Sequence, residues 1–222
     1  IGPGERVGLV GESGSGKSTI GRVMLGLERA DSGRVMLRGR TMDFDNPSEV
    51  AAMRRTAQLV FQDPFSALNP GMTIGSALRE VLALHGHPAE DAVRLMEEVG
   101  LEAGDLAKRP GAFSGGQRQR IVIARALAVR PEFLVLDESV AALDAHIQRE
   151  VLGLLERLGE ERGLAYLFIS HDLGVVASFC PRVVVLRSGV VVEEGATEGV
   201  WSSPRSEYTR ALLASRPGSR AN

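Results

Sequence analysis

Gly11-Glu12-Ser13-Gly14-Ser15-Gly16-Lys17-Ser18-Thr19 decides how this chain is read. It follows the apolar run Arg6-Val7-Gly8-Leu9-Val10 and opens a stretch of helical spacing over about 17–27. Strand, glycine turn and helix, in that order, are the setting in which the pattern G-x-x-x-x-G-K-[ST] cradles phosphate. Glycines let backbone N–H groups curl around anionic oxygens, and the helix N-terminus adds its positive dipole end. Lys17 supplies a point charge for the β- and γ-phosphates, and the Ser18 hydroxyl is a ligand for Mg²⁺. A chance glycine turn would not combine the strand, the helix and Lys-Ser-Thr.

Outward from this stretch, short β-branched runs alternate with longer helical ones. Strands are expected at Arg34-Val35-Met36-Leu37-Arg38, Ala57-Gln58-Leu59-Val60-Phe61, Phe133-Leu134-Val135-Leu136, Tyr166-Leu167-Phe168-Ile169, 183–186 and 190–192. Between the third strand and residue 115 the spacing changes to that of helices. Ile74, Ala77, Leu78, Val81 and Leu82 mark one helix face, and Val93, Met96 and Val99 another. A helix near 116–130 follows. Another carries Ile147, Val151, Leu154, Leu155 and Leu158 inward, one comes after Asp172, and a terminal one covers Glu207–Ala214. Continuous apolar strands between helices indicate a mostly parallel sheet covered on both faces. The fold class expected is therefore α/β: a P-loop NTPase core of mostly parallel sheet flanked by helices, with an α-helical subdomain inserted.

The bulk numbers narrow the function classes. The 222 residues suffice for one sizeable domain, and 44% hydrophobic with 24% charged residues is ordinary globular composition. A formal charge of −2 argues against a dedicated nucleic-acid binder. Cys180, the single cysteine, excludes an internal disulfide and lies in an apolar run where a buried thiol is expected. No uncharged apolar stretch approaches the roughly 20 residues of a membrane-spanning helix, so membrane association would go through a partner. His85-Gly86-His87 before Pro88 suits a solvated turn better than a metal site.

Two further segments carry chemistry. Phe133-Leu134-Val135-Leu136-Asp137-Glu138 delivers two carboxylates to the sheet's carboxyl edge, where doubly wound folds bind ligands. Asp137 is suited to the Mg²⁺ shell and Glu138 to orienting or deprotonating an attacking water. Alone, the run equally suits a strand followed by a helix-capping acid; the phosphate loop gives it weight. Phe113-Ser114-Gly115-Gly116-Gln117-Arg118-Gln119-Arg120 places Ser-Gly-Gly before a helix, a second anion-binding helix start in one domain. One nucleotide does not need two cradles from one chain. Two chains facing head to tail do.

Ser114-Gly115-Gly116-Gln117 resembles the signature motif of the ABC (ATP-binding cassette) ATPases. Gln62 after the third strand is similar to that family's Q-loop, Ala141-Ala142-Leu143-Asp144 to its D-loop, and His171 after Phe168-Ile169-Ser170 to its switch histidine. The likeness runs from Gly4 to about Ser215. It implies ATP and Mg²⁺ as ligands, with Gly11 to Thr19 and Asp144 at the nucleotide. Ser18, Gln62 and Asp137 would serve the metal. Gln62 would also contact the attacking water and couple the helical insert to the nucleotide. Ser114, Gly115, Gly116 and Gln117 would meet the γ-phosphate of the opposite subunit, and His171 would hold that phosphate and keep Glu138 aligned. The catalytic set expected is Glu138, His171, Gln62 and Lys17. The domain division that follows is an α/β core over 1–64 and 116–215, a helical subdomain over about 65–115 between Q-loop and signature motif, and a frayed tail over 216–222.

The stretch Gln62-Asp63-Pro64-Phe65-Ser66-Ala67-Leu68-Asn69-Pro70 is similar to the dipeptide, oligopeptide and nickel importer group of that family. Glu193-Glu194-Gly195, Pro204 and Tyr208-Thr209-Arg210-Ala211-Leu212-Leu213 resemble the same group's ending. The resemblance implies an importer's ATPase, peripheral at the cytoplasmic face of a bacterial plasma membrane. Its partners would be a second ATPase subunit, transmembrane permease subunits and, indirectly, an extracytoplasmic solute-binding protein, with no nucleic acid. The alternative is a soluble ABC ATPase acting on ribosomes or DNA. Three departures stand out. Ala141 replaces the D-loop serine, Ser139 stands where proline is common, and only ten residues precede Gly11. The last leads to the expectation of an N-terminally truncated domain lacking the family's first strand and adenine-stacking aromatic.

Overall fold

The computed structural model of the protein describes residues 1–61 and 63–215. The expected frayed tail lies outside them. The order of elements begins β1 (Arg6–Val10), α1 (Lys17–Met24), β2 (Met36–Leu37), β3 (Arg40–Thr41), α2 (Pro47–Thr56) and β4 (Ala57–Val60). A helical stretch follows: α3 (Pro64–Ala67), α4 (Ile74–Leu84), α5 (Asp91–Glu98), two short 3₁₀ turns and α6 (Gly115–Leu127). The α/β alternation then resumes with β5 (Phe133–Asp137), α7 (Ala145–Arg162), β6 (Ala165–Ile169) and α8 (Leu173–Phe179). The chain closes with β7 (Arg182–Arg187), β8 (Val190–Ala196), α9 (Thr197–Ser202) and α10 (Glu207–Ala214).

Six strands form one sheet in the order β4-β5-β6-β1-β7-β8. All pairings are parallel except β7 with β8. β1 is thus flanked on both sides, and its apolar residues Val7, Leu9 and Val10 are buried, as a strand with helices on both faces requires. The register brings three strand ends to one level: Leu9 and Asp137 both lie opposite Ile169. That level is the carboxyl edge at which the motifs emerge.

Helix α1 sits close on the sheet because Gly21 faces it. A Cβ there would stand 3.0 Å from Val135 and 3.1 Å from Ile169. On the opposite face, Phe168 meets Phe179 in a tilted contact at 5.2 Å between centroids, and Tyr166 meets Phe179 likewise at 5.8 Å. The Tyr166 hydroxyl donates to the Leu155 carbonyl on α7, so the one polar atom of that aromatic group is paired. Cys180 is buried beside this cluster, and burial pushes its thiol up to about 12, an inert packing group at neutral pH.

Several sequence expectations are corrected here. The run 34–38 supplies only the two residues of β2, which pair with β3 in a separate two-stranded sheet. Helix α2 is unpredicted because its buried side is a single residue, Met53, too little for a periodic signal. It is nonetheless well capped: Asn46 accepts from the Ser48 N–H and Pro47 occupies the first turn. On α5 the inward face is Ala92, Leu95 and Met96, while Val93 is 38% exposed. Val93, Met96 and Val99 share a spacing of three, but Ala92, Leu95, Met96 and Val99 make the tighter helical stripe. Ile147 is only partly buried, packed where α7 begins.

Phe168 has no solvent exposure and packs on Phe179, the ring that both Phe168 and Tyr166 meet. Phe168→Ala is expected to lower the unfolding free energy by about 3–5 kcal/mol, the cost of a large aromatic cavity. Urea unfolding measures it, and a change of less than about 1 kcal/mol would show that the cluster is not the packing centre.

Candidate functional site

The loop from Gly11 to Thr19 joins β1 to α1 by turning away from the sheet and back. Three glycines make this feasible: Gly11, Gly14 and Gly16 have φ of 155°, 78° and 101°. Gly11 also passes close against β7, where a Cβ would collide with the Leu186 carbonyl. Gly189, at the β7–β8 turn, donates its N–H to the Ser15 carbonyl at 2.9 Å. The Ser15 N–H donates to the Glu12 carbonyl at 3.1 Å.

Lys17 is buried, and its Nζ donates to the Gly11 and Glu12 carbonyls, each at 2.8 Å. The ammonium is therefore wrapped by its own loop. Burial pulls its pKa below the usual lysine value, opposed by the nearby Glu138 and Asp137 carboxylates. The Ser18 hydroxyl donates to Asp137 Oδ1 at 3.0 Å, bridging α1 to the end of β5. Desolvation, with Glu138 adding repulsion, pushes the Asp137 carboxyl above the ordinary aspartate range against the Ser18 hydrogen bond, Arg22 and Lys17.

Glu138 follows in a left-handed conformation, φ 47°, uncommon for a non-glycine residue. Its N–H donates to the Ile169 carbonyl at 2.9 Å and its carbonyl accepts from Ala141 at 3.0 Å. These bonds hold the turn in a conformation that costs of order 1–3 kcal/mol elsewhere. The result is a carboxylate whose Oε1 lies 3.2 Å from His171 Nδ1. His171 comes from the end of β6, just before Asp172 caps α8 through the Gly174 and Val175 N–H groups. Lys17, Ser18, Asp137, Glu138 and His171 thus converge at one sheet edge from three neighbouring strand ends.

Residues 114–117 form the start of α6. Ser114 and Gln117 make a reciprocal capping box: the Ser114 Oγ accepts from the Gln117 N–H at 3.3 Å, and Gln117 Oε1 accepts from the Ser114 N–H at 3.0 Å. Gly116 packs so tightly on α7 that a Cβ would collide with Ile147, and Gly115 faces Leu143. Asp144 caps α7 by accepting the His146 and Ile147 N–H groups, each at 3.0 Å. Those two bonds, Ile147's first, hold its carboxyl below the usual range. The 114–117 turn and the Asp144 turn therefore abut each other. Gln62 lies outside the described residues.

Two contacts to the loop have no signal in the sequence. One is Gly189 to Ser15. The other is the Glu12 N–H, which donates to the Tyr208 hydroxyl on α10 at 3.0 Å across 196 residues.

Hard oxygen donors suit Mg²⁺, and the Ser18 hydroxyl and the Asp137 carboxylate, one hydrogen bond apart beside the phosphate loop, fit that ion. Among the described residues no group of three or more His, Cys, Asp or Glu side chains could hold a metal by itself. The fit therefore involves phosphate oxygens and water as the remaining ligands.

A parallel sheet with this loop at its carboxyl edge defines a nucleotide-binding domain of the phosphate-loop class. The sequence matches the family described as ABC transporter over residues 1–141, more than half of the chain. The chain belongs to the ABC transporter family. It is 50% identical over 226 aligned residues to a Brucella abortus (strain 2308) protein whose name describes peptide import ATP binding, covering 98% of this chain and 67% of that protein. It is 46% identical to the glutathione import ATP-binding protein GsiA of Escherichia coli (strain K12), covering 97% of this chain. The chain spans about a third, 35%, of that relative's length. Among solved structures, CbiO1 of Clostridium perfringens, part of the ABC transporter complex CbiONQ, aligns with TM-score 0.84 and 26% identity over 91% of this chain and 81% of that one. The ATP-binding cassette MJ0796, a dimer in a post-hydrolysis state with ADP and Pi, aligns with TM-score 0.77 and 29% identity over 89% and 87%.

The raised pKa of Asp137 has a stability consequence. Its charged form is less favoured in the folded than in the unfolded chain, so its ionisation costs stability as pH rises from the unfolded carboxylate value through the folded one. Asp137→Asn is expected to raise the thermal midpoint of the nucleotide-free protein at neutral pH, with the gain fading below the carboxylate range. Thermal melts from pH 3 to pH 8 test this, and a midpoint that falls at neutral pH would contradict it.

Proposed function

We propose that the chain is the ATP-hydrolysing subunit of an ABC importer for peptides or a related small solute, working as one of a facing pair. The observation that carries the reading is the convergence of the wrapped Lys17, the Ser18–Asp137 pair and the Glu138–His171 pair at one sheet edge. The names of the peptide and glutathione import relatives support the cargo class. The dimeric MJ0796 with ADP and Pi supports pairing and turnover.

In this mechanism the loop N–H groups and the helix α1 N-terminus cradle the β- and γ-phosphates, and Lys17 exchanges its loop carbonyls for phosphate oxygens. Mg²⁺, held by Ser18 and Asp137, would offset charge on the phosphate oxygens. Glu138 orients the attacking water and accepts its proton as the bond from the γ-phosphorus to the ADP oxygen breaks. His171 keeps Glu138 and the water in line. Ser114, Gly115 and Gly116 of one chain complete the γ-phosphate cradle of the other, with the Asp144 turn beside them at the pair's interface. Loss of the γ-phosphate removes that bridge and lets the pair open.

The domain division over 1–64, about 65–115 and 116–215 gives this cycle its output. A cleft of 1230 Å³ runs between α2, β4, α4 and α6, with exposed Phe61, Leu27 and Leu84 at its walls and Arg54, Arg55 and Arg125 along it. A cytoplasmic helix of a permease subunit is the occupant that suits an apolar cleft spanning core and insert. No helix among the described residues is long and apolar enough to cross a membrane. The chain would then sit at the cytoplasmic face of the plasma membrane, held by the permease. Solute selection would lie with the permease and an extracytoplasmic binding protein.

Glu138→Gln is expected to keep Mg·ATP binding while lowering phosphate release by at least about 100-fold, and to accumulate an ATP-bound pair resolved by size-exclusion chromatography. Undiminished hydrolysis would remove Glu138 from this role. Co-purification of the tagged chain with a membrane complex supports the importer assignment, and stable co-sedimentation with ribosomes instead would overturn it.

A further inference from the structure

The importer-like ending around Tyr208 is accounted for neither by the sheet edge nor by the hydrolysis chemistry, yet it reaches the phosphate loop. Tyr208 is 8% exposed, and its hydroxyl oxygen accepts the Glu12 N–H at 3.0 Å. Its ring is held from the other side by Arg187 of β7, whose guanidinium carbon lies 5.1 Å from the ring centroid. The helix that carries Tyr208 is seated by Glu193 of β8, whose two carboxylate oxygens accept the Arg205 N–H at 2.8 Å and the Ser206 N–H at 3.0 Å. Desolvation works against ionisation of Glu193, but these bonds and the cation of Arg205 together outweigh it and hold the carboxyl below its usual range, so it stays ionised at the start of α10 at neutral pH.

We infer that Tyr208 is a positioning residue for the phosphate loop, which rests on the nucleotide-binding reading above. The loop's outer side is pinned at three points that are far apart in sequence. Gly11 abuts the Leu186 carbonyl, the Ser15 carbonyl accepts from Gly189, and the Glu12 N–H donates to Tyr208. The first two come from β7 and its turn. The third comes from α10 and acts on the peptide entering residue 12, whose Gly11 carbonyl accepts from Lys17. The carbonyl leaving residue 12 is one of the two that hold Lys17 and also accepts from Ser15. Orienting the Glu12 N–H toward Tyr208 therefore sets the peptide frame from which both the lysine and the inner N–H groups face the phosphates. A loop free to rotate there would have to be ordered by the nucleotide itself, at the expense of affinity.

The same frame explains why the device uses a phenol. An aliphatic residue would fill the space but leave the Glu12 N–H without its acceptor, and a shorter hydroxyl would not span from α10. The Arg187 contact fixes the ring plane, so the oxygen is presented at a set position rather than swept over an arc.

Calorimetric titration of the full chain with Mg·ATP tests the inference, using wild type, Tyr208→Phe, Lys17→Ala and Glu193→Gln. Tyr208→Phe keeps the ring and removes the acceptor. It is expected to weaken Mg·ATP binding about three- to tenfold, one hydrogen bond's worth. It should also raise KM with kcat little changed and speed hydrogen exchange at the Glu12 amide, while the urea midpoint moves little. Glu193→Gln, which loosens the seat of α10 but leaves Tyr208 intact, is expected to weaken binding in the same direction. Should Tyr208→Phe fail to fold, it decides on its own: an unchanged affinity in Glu193→Gln overturns the inference. Wild-type affinity in Tyr208→Phe, or a loss of affinity that only follows a loss of global stability, overturns it as well. Failure of wild type to bind Mg·ATP better than Lys17→Ala would sink the nucleotide reading itself, a separate outcome.

Discussion

Several backbone N–H groups have to point into one small volume at the end of β1, and a buried ammonium has to be held there by the loop's own carbonyls. Most of the structure can be traced to that requirement. Left-handed or otherwise glycine-only conformations at Gly11, Gly14 and Gly16 give the loop its curl. Placing β1 between β6 and β7 gives it rigid walls on both sides. The shared register of β1, β6 and β5 at Leu9, Ile169 and Asp137 makes the three strand ends coplanar, so acid, histidine and lysine meet without long connecting loops. Continuation of the ladder by Ser170 N–H to Leu9, and Glu138 N–H to Ile169, extends that register one residue past the strands into the site.

The electrostatics make the site a local liability within a stable frame. Burial disfavours the charged form of both Lys17 and Asp137, and their mutual attraction, with Ser18, only partly compensates. Glu138 adds a strained backbone. Such a cluster persists because the sheet beneath it is fully packed: Val135, Leu136, Leu167, Phe168 and Ile169 are all buried. On the reading proposed above, phosphate oxygens would give Lys17 an anionic partner, and a divalent cation would give Asp137 a cationic one, so the ligand would offset part of the cost of burying these charges. This is the usual division between a frame that supplies stability and a site that consumes it.

How much of this was legible in the sequence depended on range. Residues 11–19, 114–117 and 133–138 each carry their geometry within a few positions, because a glycine turn, a capping box or a strand end is specified locally. The α/β order was legible for the same reason. Helix α9, with Thr197 and Val200 as its buried residues, offers too little apolar periodicity to be seen, as does α2. The run 34–38 reads as a sheet strand because three apolar residues between two arginines after a turn say nothing about which sheet they join. The contacts of Tyr208 with Glu12 and of Gly189 with Ser15 are purely tertiary. No spacing rule links residues so far apart, although the tyrosine-containing ending was visible as a motif without a reason.

The second cradle explains why one chain is an incomplete machine on the reading proposed here. Ser114 and Gln117 already satisfy one another in the capping box, so what the α6 N-terminus retains for a phosphate is its dipole and the first N–H groups, which no helix can bond internally. These are weak ligands alone and strong ones when a γ-phosphate is already fixed elsewhere. Gly116, locked against Ile147, and the Asp144 cap of the same helix α7 tie that N-terminus to the turn that leaves the Glu138 strand. On that reading, the helix α6 that meets the other chain's phosphate packs on α7, and the Asp144 cap of α7 follows the turn after Glu138, so the two sites of a pair are joined by a short run of contacts.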